Sequence, residues 1–282
     1  MRSSISRTGP DFAVIGAMRA GTTQLYEMLR GVEGVSVPKM KETDFFCTRK
    51  SVSRGYGWYA RQFSRGDALW GDISPNYAKT DIHPQAAQLL YEANPEMRIF
   101  FIARDPVERA ISHYRMVHFI EDDLPPPDDL LATRSGKHIL HASSYYTCLL
   151  PFWERFGDRV TILDFDMLTE QSMEVVAFIC KTLGLPPAEL PVAQGAANSF
   201  SEVSRMPGWW GRLRRTEIGT VLRGHAPRPL LNFIKAKASL NAPRAAPPPF
   251  SEKVRRQMTD MLAPDIMEFR KKTGLHFDNW SV

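Results

Sequence analysis

The chain has 282 residues, 43% of them hydrophobic and 24% charged, with a formal net charge of +5, the balance of a soluble globular protein with a core of its own. Its three cysteines, Cys47, Cys148 and Cys180, are widely spaced and odd in number with no C-x-x-C pair, which argues against a disulfide framework or a zinc site. No apolar run approaches the ~20 residues of a membrane span and residues 1–11 carry no secretory h-region, so the expectation is a cytoplasmic protein with reduced thiols.

Residues 12–15, FAVI, read as a buried strand, and residues 22–30 as a helix. Between them Gly16 and Gly21 bracket a tight turn, and Thr22 and Thr23 follow it. The spacing G-x-x-x-x-G before a hydroxyl pair is that of a loop that cradles phosphates. The backbone N–H groups of residues 17–22 and the helix dipole would face the anion. A kinase or NTPase would carry lysine at position 22 and an acidic residue after a strand for Mg²⁺. Thr22 stands there instead, which argues against ATP or GTP hydrolysis. A bare strand–turn–helix without a ligand is the alternative.

Residues 38–47, PKMKETDFFC, place Glu42 beside Lys41 and just ahead of Phe45-Phe46. A carboxylate tethered next to buried aromatics suits a general base. The same residue also reads as a surface glutamate in a charged loop.

Residues 70–73 form a short strand before Ser74-Pro75-Asn76, and residues 83–93 a helix stopped by Asn94-Pro95. RIFFIA, residues 98–103, is the clearest buried strand. It delivers Arg104 to its C-terminal end, where ligands bind in open α/β sheets. Pro106 suits the first turn of a helix reaching about residue 119, with Ser112 about two turns in. Arg104 and Ser112 can therefore hold a second phosphate, or Arg104 can pair locally with Asp105 or Glu108.

The acidic, proline-rich residues 122–129 read as a loop, 145–156 as a helix despite Pro151, 160–164 as a strand, and 173–183 as an amphipathic helix. Such alternation with short connections implies a parallel sheet with helices on both faces. Residues 191–249 are rich in Pro, Gly and Arg, with apolar patches at 208–215 and 228–237. From Arg205 to Arg256 there are twelve Lys/Arg and two acids, either a solvated basic surface or a contact for an anionic ligand or membrane. Ser251 can cap a helix to about residue 262, and Pro264 begins another.

Taken together, GAMRAGTTQL (16–25), KETDFF (41–46) and RDPVERAIS (104–112) resemble the sulfotransferases that use 3′-phosphoadenosine 5′-phosphosulfate (PAPS), especially the heparan-sulfate-type branch and its bacterial relatives. GYGWY (55–59), GDISPNY (71–77), SYY (144–146) and FWERFGDRVTILDFDML (152–168) continue the likeness, and NSFSEVSRMP (198–207) resembles the family's loop over the nucleotide. The resemblance covers about residues 12–207 and the terminal helices. It implies an α/β, P-loop-like three-layer fold with a central parallel sheet and a helical C-terminal appendage. The chain would be one sulfotransferase domain: a core at 12–190, a variable basic region at 191–249 and C-terminal helices at 250–282.

The resemblance also assigns roles. Glu42 would be the catalytic base and Arg19 would stabilise charge on the sulfonate and bridging oxygen. Arg19, Ala20, Gly21, Thr22 and Thr23 would hold the 5′-phosphosulfate, Arg104 and Ser112 the 3′-phosphate, and Tyr146 and Arg205 the rest of the nucleotide. PAPS would be the donor and adenosine 3′,5′-bisphosphate (PAP) the product, with no metal. The partner would be a saccharide, glycolipid or small-molecule acceptor and not a nucleic acid, with peripheral membrane contact through 205–256.

The sequence departs from that pattern in three places. Arg19 stands where the family carries a lysine, and an arginine acts by charge rather than by giving up a proton. Ile73 replaces a second lysine and Asp72 a glutamate. A histidine base at His83, His113 or His118, a P-loop NTPase, and a non-enzymatic binder of anionic surfaces are the competing readings.

Overall fold

The two most apolar runs of the sequence pair at the centre of the sheet. In this computed structural model, which describes residues 9–64, 66–120, 124–186 and 247–282, strand β1 (Phe12–Gly16) is buried along its whole length. It lies between β3 (Leu69–Ile73) and β4 (Arg98–Ala103), with β2 (Val35–Ser36) and β5 (Val160–Asp164) at the edges. All four pairings are parallel, giving the order β2-β3-β1-β4-β5. Continuous apolar runs such as RIFFIA are what a strand covered on both faces requires. Gly71 is the one residue that fits at its point on β3, because an added Cβ would lie 2.0 Å from the Phe12 ring.

Helices α1 (Thr22–Arg30), α9 (Phe165–Glu170) and α10 (Ser172–Thr182) contact one another as one group. Helices α4 (Ala86–Ala93), α5 (Pro106–Ile120), α7 (Arg134–His141), α8 (Tyr145–Phe156) and α11 (Glu252–Thr273) form the other. The short helices α2 (Arg49–Val52), α3 (Tyr56–Ala60) and α6 (Pro127–Leu130) lie in the connections. The result is the layered parallel sheet flanked by helices that the element pattern implied. Among the described residues, no helix is long and apolar enough to cross a membrane. The three cysteines are buried.

Three expectations need correction. Pro264 does not start a new helix, because α11 runs through it from Glu252 to Thr273. Its buried stripe, Val254, Met258, Leu262, Ile266 and Phe269, continues in register across the proline, and that burial outweighs one lost backbone hydrogen bond. The acidic segment contains a helical turn, α6, opened by Pro127 at its first position. The two-residue β2 and the helix α7, capped by the Thr133 hydroxyl on the Gly136 amide, were not foreseen.

Candidate active site

The segments that follow the C-terminal ends of β1, β3, β4 and β5 converge, as open parallel sheets place their ligand sites. They frame a cleft of about 340 Å³ whose walls include Arg19, Gly21, Thr22, Thr23, Glu42, Pro75, Arg104, Ser112 and Phe165. Residues 85 to 93 apart in sequence touch directly here. Arg19 Nε donates to Ser112 Oγ (3.1 Å), and Arg104 Nη1 donates to the Arg19 carbonyl (2.9 Å).

The loop after β1 turns sharply. Arg19 has φ 72° and Gly21 φ 80°, both left-handed, and an added Cβ on Gly21 would meet Leu168 at 2.9 Å. A left-handed arginine is costly, and such conformations gather at functional sites. Not every amide of residues 17–22 faces the cleft, as had been expected. The Ala17 amide donates to the Ile102 carbonyl (3.0 Å) and that of Ala20 to the Ala17 carbonyl (3.1 Å). The amides of Gly21, Thr22 and Thr23, at the N-terminus of α1, make no backbone hydrogen bond among the described residues and are available to an anion. Burial, and then the Arg104 charge, lower the pKa of Arg19.

Behind the loop, Arg109 is fully buried. Its guanidinium donates to Ser143 Oγ (2.6 Å), to the Ile139 carbonyl (2.5 Å) and, at 3.4 Å, to the Met18 carbonyl. This side chain ties α5 to the phosphate-type loop. The Arg104 guanidinium lies 4.6 Å from the Phe165 ring centroid, stacked as a cation on an aromatic face.

Glu42 is 36% exposed and forms an ion pair with Lys41 at 2.7 Å. The next residue fixes its position, because Thr43 belongs to a buried hub centred on Asp72. The Asp72 carboxylate accepts hydrogen bonds from Thr43 Oγ1 (2.8 Å), Tyr59 Oη (2.9 Å), Ser74 Oγ (2.7 Å) and Tyr77 Oη (2.9 Å). Burial raises the pKa of Asp72 against the opposing pull of those four donors. Asp72 is therefore an internal anchor for the 42–44 and 74–77 segments rather than a group facing an acceptor.

Lys79 was missed by the sequence reading. It is only 8% exposed, and its ammonium makes no hydrogen bond or ion pair among the described residues. Burial, reinforced by Arg109 and opposed by Glu42, Asp44 and Asp81, pushes its pKa down to about 8. A strongly perturbed amine in electrostatic contact with Glu42 is the pattern of a site rather than of a core. Arg115, which was not singled out, also lines the cleft, as does Glu108, which pairs with Arg255 of α11 at 2.6 Å rather than with Arg104 among the described residues.

The structure thus brings Arg19, Gly21, Thr22, Thr23, Glu42, Arg104 and Ser112 to one cleft. Ala20 is buried within the loop. Tyr146 does not line the cleft; its ring packs on Trp153 at 5.8 Å and its amide donates to Asp265. Arg205, the 208–215 and 228–237 patches, and most of the basic 205–256 region lie outside the described residues. Of the candidate histidines, His113 is buried against Arg109 and pushed well below its usual pKa by burial and neighbouring cations. His83 keeps a buried Nδ1 without a hydrogen bond among the described residues, and His118 stacks on Tyr114. None of the three lines the cleft. Among the described residues, no cluster of His, Cys, Asp and Glu is placed to hold a metal ion.

The profile of the "Sulfotransferase family" matches residues 37–189. A mouse (Mus musculus) heparan sulfate glucosamine 3-O-sulfotransferase 5 is 26% identical over 191 residues, covering 63% of this chain and 54% of that protein. The membrane-associated sulfotransferase kil1 of Dictyostelium discoideum is 28% identical over 148 residues, covering 50% of this chain and 30% of that protein. The chain thus spans about half or less of the length of these relatives. The crystal structure of a sulfotransferase from Alicyclobacillus acidocaldarius superposes with a TM-score of 0.67 at 19% identity, covering 97% of this chain and 99% of that one, and shows the shared fold. With more than half of its residues matched by the profile, this chain belongs to the sulfotransferase family.

Proposed function

We propose that the cleft binds PAPS and that the protein moves its sulfuryl group to a hydroxyl or amine of an acceptor by in-line displacement. The observation that carries this reading is the meeting of Arg19, Arg104 and Glu42 in one cleft at the strand ends. The donor set fits such a nucleotide, with three amides at the start of α1 that make no backbone hydrogen bond among the described residues, two clustered guanidinium groups and a cleft of about 340 Å³. Bound PAPS would supply an activated sulfuryl group with PAP as its leaving group.

The chain's own residues do the rest. Thr22, Thr23 and the amide of Gly21 hold the 5′-phosphate, while Arg104 and Ser112 hold the 3′-phosphate. Arg19, in its left-handed turn, places a permanent charge where negative charge develops, and charge stabilisation of this kind is commonly the largest catalytic contribution. Glu42 takes the proton from the acceptor nucleophile, and the Asp72 hub keeps its segment from drifting. Lys41 and Lys79 add positive charge beside it. We read residues 1–282 as one sulfotransferase domain working in the cytoplasm on a saccharide, glycolipid or small metabolite. The basic 205–256 region would contact acceptor or membrane.

The test is to incubate the purified protein with ³⁵S-labelled PAPS and a panel of saccharide, glycolipid and small hydroxyl or amine acceptors. Label is expected to move into at least one class without added metal. Absence of transfer alongside MgATP hydrolysis would replace this reading with an NTPase.

A further inference from the structure

Residues 279–281 bond to the two segments beside Arg104, the β4–α5 loop and the first turn of α9. Ser281 donates its amide to Asp105 Oδ2 (2.5 Å) and its hydroxyl to Asp105 Oδ1 (3.0 Å). Asp105 Oδ1 also accepts from the Glu108 amide (2.9 Å), which starts the helix that carries Ser112. Two residues earlier, the Asn279 side chain donates to Asp166 Oδ2 (2.5 Å), next to Phe165. Asp105 follows Arg104 and Asp166 follows Phe165, so the segment bridges the two partners of the cation–π pair in the cleft wall.

The residue between them is the anchor. Trp280 is 8% exposed and stacks on Phe277 with centroids 4.2 Å apart. It also packs edge-on against Tyr145 at 5.8 Å, and the Tyr145 hydroxyl donates to the Arg104 carbonyl at 2.7 Å. The Arg104 backbone is therefore gripped through Tyr145, its neighbour Asp105 through Ser281, and the ring under its guanidinium through Asn279. The polar bonds are exposed, so they contribute little to global stability. Their effect is on position, and a displacement of about 1 Å in a binding group is enough to degrade a phosphate contact.

We propose that residues 279–281 staple the β4–α5 loop to the first turn of α9 and thereby set how strongly the cleft prefers a nucleotide carrying a 3′-phosphate. This rests on Arg104 being the 3′-phosphate group of the donor site. Asn279, Trp280 and Ser281 are positioning residues, acting through Arg104 and Phe165.

The experiment compares calorimetric affinities for PAP and 5′-AMP in the wild-type protein and two variants that keep Trp280. Asn279→Ala/Ser281→Pro removes all three bonds, since proline has no amide donor, and Asn279→Ala/Ser281→Ala keeps the amide bond. PAP affinity is expected to fall about tenfold in the first variant, the scale of one charge-assisted hydrogen bond, with a smaller loss in the second. AMP affinity is expected to hold in both. Variants that keep the wild-type PAP-to-AMP ratio, or lose both ligands equally, overturn the staple. A wild-type protein that binds PAP no better than AMP overturns the donor-site reading itself, and the staple's role with it.

Discussion

Replacing Glu42 with glutamine is expected to lower sulfuryl turnover by about 10²–10⁴-fold, the range for loss of a positioned general base. Affinity for PAP is expected to stay unchanged. Glutamine keeps the shape and loses only the charge that receives the proton. The structural cost is small, because the ion pair lost with Lys41 is partly exposed and such pairs contribute about 0–1 kcal/mol. The segment stays in place because its anchor is Thr43 on the Asp72 hub, which the substitution leaves intact. Initial rates with labelled PAPS, together with calorimetric PAP binding on the same preparation, separate chemistry from binding. Near-normal turnover would move the base elsewhere, with Lys79 the next candidate. Loss of PAP binding would mean that Glu42 belongs to the donor site.

Replacing Lys79 with methionine is expected to stabilise the protein at pH 7 by on the order of 3 kcal/mol, one pKa unit being about 1.4 kcal/mol. Lys79 has its pKa lowered from 10.5 to about 8, chiefly by burial. Below pH 8 the folded and unfolded chains both carry the charge, and the folded chain bears the full desolvation penalty. Between pH 8 and 10.5 the folded state gives up its proton first, so the wild-type protein gains stability as pH rises through that window. Above 10.5 the penalty is gone, and the advantage of Lys79→Met disappears with it. Denaturant titrations at pH 7 and pH 10 check both the sign and the window. A variant less stable than wild type at pH 7 would mean that the ammonium has a favourable partner.

How much of this was legible in the sequence depends on how local each feature is. The strands β1, β4 and β5 and the helices α1 and α8 follow from apolar runs and flanking Gly, Pro and Thr residues, and their observed limits lie within a residue of those expected. The two-residue β2 has no pattern of its own and exists because β3 pairs with it. Pro264 misled because a local rule was applied where a buried stripe decides the outcome.

The candidate site shows the same division. Glu42, Arg104, Ser112 and the loop threonines sit in short motifs at strand ends, which sequence reading can find. The Asp72 hub, the buried Arg109 and the buried ammonium of Lys79 depend on which segments meet and how much water they exclude. Thr43 and Asp72 are 29 residues apart and Arg109 and Ser143 are 34 apart, and no spacing rule reports such bonds. The same holds for Ser281 on Asp105, 176 residues away.

The most direct test of the central claim is calorimetric titration of the wild-type protein with PAP, 5′-AMP and MgATP, with and without added metal. The account predicts selective binding of PAP that needs no metal, with AMP much weaker because Arg104 and Ser112 find no 3′-phosphate. Preference for MgATP, or no binding of PAP at all, would contradict it.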